Sequence, residues 1–135
     1  MKVAVDTNVL ARAMLADDPG QTRVAQALLA DAELIVIPLV TFCELVWVLG
    51  SLRIERSEIA QGIEGLLSSR QVAADHAAVA AGLAHLRAGG DFADAAMADE
   101  GYRAGAEQFT TFDKNAARLL AAEGRPVTLL KGRTD

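Results

Sequence analysis

The sequence predicts an α/β fold, a mainly parallel sheet of about five short strands with helices on both faces. Three observations carry that expectation. Short β-branched runs alternate along the chain with longer segments whose apolar residues recur every three or four positions. The strand runs are almost wholly apolar, as strands covered on both faces are. The chain has 135 residues, 52% of them hydrophobic and 23% charged. That is the common size of one domain, here residues 1–135, and excludes a disordered chain.

Lys2 to Val5 reads as the first strand, expected to be buried. A helix follows from Thr7 to Ala16. Asp18-Pro19 starts the next helix, with Asp as N-cap and Pro at the first helical position. Val24, Ala25, Ala27, Leu28 and Leu29 supply its apolar spacing. Leu34 to Ile37 is the second strand, stopped by Pro38. Leu39 to Leu49 is a helix that Gly50 ends. Ile59, Ile63, Leu66 and Leu67 mark another helix, and Gln71 to Ala73 a short third strand. Asp75 caps a helix carrying Val79, Leu83 and Leu86, closed by Gly89-Gly90. Phe92 to Ala104 is helical. Glu107 to Thr110 and Val127 to Leu130 are the last strands, with a helix from Asn115 to Ala122 between them. The tail from Lys131 to Asp135 is expected to fray. In a parallel sheet, ligands bind beyond the carboxyl ends of the strands, so the residues following each strand are where chemistry is expected.

Composition removes several function classes. Net charge is −5 and aromatics are 4%. Neither a basic patch gripping nucleic acid by charge alone nor an array of stacking rings fits those values. One cysteine, Cys43, excludes a disulfide framework and a cysteine zinc cluster. His76 and His85 are the only histidines and read as surface or packing residues. The apolar stretch from Leu34 to Leu49 contains Pro38, Thr41 and Glu44 and falls short of the ~18 uninterrupted residues of a membrane span. No signal-peptide core precedes Asp6, so a soluble cytoplasmic protein is expected.

Four acids stand out by position. Asp6 directly follows the first strand, and Asp113 lies just after the fourth. Glu44 is the only charge between Leu34 and Leu49, and an unpaired carboxylate buried on an apolar helix would be costly. Asp94 lies in the first turn of its helix, near Asp91, which suits an N-cap. Asp6 also suits a cap, and Asp113 a turn. Gathered roughly 6 Å apart at an effective dielectric near 20, four carboxylates would repel by about 3 kcal/mol per pair. They would then protonate in part or bind a divalent ion, and oxygen-only ligands suit Mg²⁺ or Mn²⁺. Such an ion would also offset the negative charge that opposes a polyanionic substrate.

The motifs around these acids resemble the PIN domain, and within it the VapC-like toxins of type II toxin–antitoxin pairs. Val5-Asp6-Thr7-Asn8-Val9-Leu10 is similar to the family's opening motif. Pro38 to Leu49 is similar to the second, with Glu44 as its acid; Asp91-Phe92-Ala93-Asp94-Ala95 to the third, with Asp94; Thr110-Thr111-Phe112-Asp113-Lys114 to the fourth, with Asp113. The resemblance implies a three-layer α/β/α fold and a Mg²⁺- or Mn²⁺-dependent endoribonuclease. It carries over Asp6, Glu44, Asp94 and Asp113 as catalytic and metal-holding acids, with Asn8 and Thr111 in support. It further implies an RNA substrate, a homodimer and a cognate VapB-like antitoxin that inserts a segment near the acids.

The expected mechanism is hydrolysis by a water whose pKa a divalent ion lowers, leaving a 5′-phosphate and a 3′-hydroxyl. Arg12, Arg53, Arg56 and Lys114 are candidate phosphate contacts. The surface around Trp47, Leu49, Leu52 and Ile54 is a candidate self-association face. Two rival readings stand beside this one. A haloacid-dehalogenase-type phosphatase also places Asp after its first strand, but wants a second Asp where Asn8 stands. A catalytically silent RNA- or partner-binding dimer would keep the fold without the turnover.

Overall fold

Seven helices alternate with five strands in a computed structural model that describes residues 1–132. The end of the tail, residues 133–135, for which fraying was expected, lies outside the described residues. The chain divides into two compact units, Met1–His76 and Ala77 onward.

In the first unit, β1 (Lys2–Ala4), β2 (Leu34–Val36) and β3 (Val72–Ala73) form a parallel ladder in the order β1-β2-β3, with Val3 opposite Ile35 and Ile35 opposite Val72. The connections are α1 (Thr7–Leu15) and α2 (Pro19–Asp31), then α3 (Leu39–Ser51) and α4 (Arg56–Leu67). Asp18 caps α2 as expected, its carboxylate accepting from the Gln21 N–H at 3.1 Å, with Pro19 at the first helical position. Thr22 Oγ1 donates to the Arg12 carbonyl at 2.9 Å and Gln26 Nε2 to the Ala13 carbonyl at 3.1 Å. The Arg12 carbonyl also takes the Ala16 N–H at 3.4 Å, and the two side-chain bonds pin α2 beside the end of α1. Leu10, Ile35, Ile37, Phe42, Leu45, Leu49 and Ile63 are fully or almost fully buried.

In the second unit, β4 (Phe109–Thr111) and β5 (Val127–Leu129) pair in parallel, Thr111 opposite Leu129. α7 (Lys114–Ala122) crosses between them and packs on both. α5 (His76–Arg87) and α6 (Phe92–Arg103) precede them. Ala95, Ala98 and Leu120 make a core against which Tyr102, Phe109 and Val127 pack. The Tyr102 hydroxyl donates to the Pro126 carbonyl at the entrance to β5.

The α/β class and the parallel pairing stand as expected, with the strands in ladders of three and two. Three local expectations differ. Gly50 lies inside α3 rather than ending it. The reversal comes at Arg53, whose φ of 63° is left-handed and whose N–H closes onto the Gly50 carbonyl at 3.0 Å. The fourth strand begins at Phe109, not Glu107, since pairing with β5 starts at Val127. The strands are also less covered than an all-apolar reading implies: Ala4, Val36, Thr110 and Thr128 are exposed, and only Ile35 among the strand residues is fully buried. No helix of the described residues is long and apolar enough to cross a membrane.

Candidate functional site

Asp6 stands where β1 ends and α1 begins. Its backbone is extended, with φ −76° and ψ 154°, so it occupies the N-cap position. Its side chain makes no cap hydrogen bond and is exposed. The capping role does not account for this acid. The next residue, Thr7, is buried, and its Oγ1 donates to Glu44 Oε2 at 2.7 Å. That bond holds the Glu44 carboxylate against the chain neighbour of Asp6. Glu44 itself is exposed. The premise of a buried charge on an apolar helix is therefore corrected: α3 turns its apolar side inward through Phe42, Leu45 and Leu49 and leaves Glu44 on the outer stripe.

Asp91, Asp94 and Asp113 belong to the second unit. Asp91 caps α6, accepting from the Ala93 N–H at 3.2 Å. Asp113 is the N-cap of α7 rather than only a turn residue; its Oδ1 accepts from the Ala116 N–H at 2.9 Å. Thr111 Oγ1 accepts from the Asp113 N–H at 3.0 Å, which fixes the turn that presents the acid. Asp94 is half-buried in the first turn of α6. Burial pushes its carboxyl above the usual carboxylate range; the charges of Asp91 and Asp113 add to the rise, and His85 opposes it. The charge of Asp113, on the turn before α7, thus reaches Asp94 on α6.

His85 is the residue whose setting sequence reasoning missed. It is fully buried, with Nδ1 at 3.0 and 3.1 Å from the two carboxylate oxygens of Glu123. Its Nε2 has no hydrogen-bond partner among the described residues. The ring lies against Gly90, where a Cβ would meet Nε2 at 2.3 Å. Its place between Leu83 and Leu86 signalled burial, but nothing local signalled Glu123. His76 is exposed.

The other candidates divide. Arg12 is held by Asp17 through two 3.0 Å contacts, so it is not poised for phosphate. Arg53 and Lys114 are exposed. Leu49 is core and Ile54 half-buried, leaving Trp47 and Leu52 exposed. Asn8 is exposed and lines an open groove of about 500 Å³ between α1 and α2, with Val9, Gln21, Val24 and Leu28.

Among the described residues, no group of three or more His, Cys, Asp or Glu side chains is gathered closely enough to hold a metal ion. The donor chemistry nonetheless fits a hard divalent cation. Every candidate ligand is a carboxylate oxygen, and at Asp94, raised first by burial, a cation would relieve the part of the rise that the charges of Asp91 and Asp113 add.

No curated protein and no solved structure matches the chain. The PIN domain family matches residues 3–121, a span that takes in Asp6, Glu44, Asp94 and Asp113. PIN domains are generally metal-dependent nucleases and are often found in toxin–antitoxin systems. With that match covering most of its length, the chain belongs to the PIN domain family.

Proposed function

We propose that residues 1–135 work as a single PIN domain and that the protein is a Mg²⁺- or Mn²⁺-dependent endoribonuclease. In this reading it is the VapC-like toxin of a type II toxin–antitoxin pair, acting in the cytoplasm. Asp6, Glu44, Asp94 and Asp113 are its catalytic, metal-holding acids, with Asn8 and Thr111 in support. The observation that carries the reading is the family match over residues 3–121, which takes in all four acids; beside it, burial raises the Asp94 carboxyl and the charges of Asp91 and Asp113 add to the rise. A divalent cation, when bound, supplies a water of lowered pKa and neutralises charge on the phosphate. The chain's own residues do the rest. Asp6 offers a carboxylate that α1 does not use as a cap. Thr7 orients the Glu44 carboxylate by its 2.7 Å bond. Thr111 holds the backbone from which Asp113 projects. Asn8, two residues after Asp6, lines the α1–α2 groove, the proposed seat of an antitoxin segment. Trp47 and Leu52, exposed at the C-terminal end of α3 and just beyond it, are the proposed homodimer surface.

The test is cleavage of total cellular RNA by wild type and Asp6→Asn, each with Mg²⁺, Mn²⁺ or EDTA. Discrete fragments with 5′-phosphate ends are expected from wild type with metal alone. Fragments ending in 2′,3′-cyclic phosphate and formed in EDTA would overturn the metal-dependent mechanism. No cleavage by a folded, antitoxin-free sample would favour the silent binding dimer.

A further inference from the structure

The chain has six aromatic residues. Phe42 and Phe92 are wholly buried, and Tyr102 and Phe109 are half-buried. Only Trp47 and Phe112 stand exposed, at 73% and 68%. Phe112 lies in the turn between β4 and α7, with Thr111 before it and Asp113 after it. That turn is pinned on every side. The Asp113 N–H donates to Thr111 Oγ1 at 3.0 Å, the Asp113 carboxylate caps α7 at 2.9 Å, and the Leu130 N–H donates to the Thr111 carbonyl at 2.7 Å. The ring is thus held in water by an ordered backbone. Beyond it, α7 exposes Lys114 and, one turn on, Arg118, whose Nη2 donates to Asn115 Oδ1 at 2.6 Å.

We propose that Phe112 is a base-stacking residue, which takes the unstacked base of a single-stranded RNA nucleotide while Lys114 and Arg118 meet that strand's phosphates. The inference rests on the ribonuclease reading above and names the substrate class of the same site. An aromatic face, a carboxylate and two cations follow one another along this segment, in keeping with a base, a metal that Asp113 would help to hold, and the phosphates of one strand. Protein docking would want a contiguous apolar patch. Here the chain neighbours of the ring, Thr110, Thr111, Asp113 and Lys114, are all polar, and Leu130, bonded to the Thr111 carbonyl and exposed at 41%, adds one apolar side chain at this turn rather than a patch. Duplex RNA, whose bases are stacked and paired, offers this ring no face.

Binding is measured by fluorescence anisotropy in Mg²⁺ on an Asp6→Asn background, so that RNA stays intact. The probes are a fluorescein-labelled single-stranded RNA and a hairpin duplex. Phe112→Ala is expected to weaken single-strand binding about tenfold or more, the usual effect of removing one stacking ring. Phe112→Trp should hold affinity within about twofold and Phe112→Leu should resemble Ala, since stacking needs a π-face. Duplex binding should not change, and thermal melting should confirm that each variant folds. Full rescue by Leu, or equal losses on duplex and single strand, would reduce Phe112 to a generic contact and overturn the proposal. Unchanged single-strand affinity in Phe112→Ala would also overturn it, and loss of dimerisation in that variant would assign the ring to protein docking. Wild-type cleavage run alongside separates the two levels. If wild type cuts RNA and Phe112→Ala binds normally, only the stacking proposal falls; if wild type neither binds nor cuts RNA, both fall.

Discussion

Asp94 sits in the first turn of α6, where the helix dipole favours its ionised form while burial and two neighbouring carboxylates oppose it. Its carboxyl is raised from the ordinary 3.8. An acid whose folded pKa exceeds its unfolded one binds more protons folded than unfolded. Asp94 therefore lowers stability at neutral pH, and that penalty fades as pH falls through the raised value and is gone below the ordinary one. Asp94→Asn removes the charge and keeps the shape. Its Tm is expected to exceed that of wild type at pH 7, with the gap closing near pH 3.5, in parallel thermal melts. If Asp94 holds the metal as proposed, activity should move the other way, falling by at least about 100-fold, since loss of a ligand exceeds the usual effect of losing its supporting group. The acidic limb of wild-type kcat/KM should lie above the ordinary carboxylate range and shift to lower pH as Mg²⁺ is raised, because metal and proton compete for the same oxygens. A limb indifferent to Mg²⁺ would separate Asp94 from the metal.

Helix termini and helix interiors show what single elements reveal. Asp91 and Asp6 both occupy N-cap positions, yet only Asp91 makes the cap bond. Asp91→Ala should cost about 1 kcal/mol in urea unfolding, the usual value of a cap. Asp6→Asn should leave stability unchanged and abolish cleavage. Sequence alone could not divide them, because both precede a helix and only the side-chain geometry differs. Gly82, Gly62 and Gly65 all lie inside helices, where Ala is favoured by about 1 kcal/mol on propensity alone. A Cβ at Gly65 meets nothing within 4 Å, and one at Gly62 comes to 2.4 Å from the mobile end of Met14. At Gly82 it comes to 2.5 Å from the ring of Phe92, which is fully buried and cannot yield. The expected order of Tm is Gly65→Ala above wild type, Gly62→Ala near it, and Gly82→Ala below it by the equivalent of about 1–3 kcal/mol. Helix existence was legible from apolar spacing, and the cap at Asp18 from its Pro19. The end of α3 was not: Gly50 reads as a stop, but the helix continues until Arg53 turns left-handed.

Across the molecule, what was legible followed the chain and what was not crossed it. Asp6 and Asp113 could be picked out because each stands two residues beyond the end of a strand. The partners that set the acids' surroundings could not, since Thr7 reaches Glu44 across 37 positions and His85 reaches Glu123 across 38. The surface of α3 shows the same limit. Its composition is apolar nearly throughout, so sequence cannot say which side faces the core. The structure turns Phe42, Leu45 and Leu49 inward and leaves Val40 and Trp47 outward, at 62% and 73% exposure. Seven residues apart is two helical turns, so both lie on one face, with Glu44 between them. An exposed Trp, with Leu52 also exposed beyond the end of the helix, is the kind of anchor that dominates interfaces, with losses of about 2 kcal/mol or more on truncation. If that face joins two copies, wild type should sediment as a dimer at micromolar concentration. Trp47→Glu should then weaken self-association by about 30-fold or more and sediment as a monomer. Its melting temperature at high dilution should match that of wild type, because the side chain contributes little to the monomer's own core. A wild type monomeric at every concentration, or a variant that remains dimeric, would remove this face from the assembly.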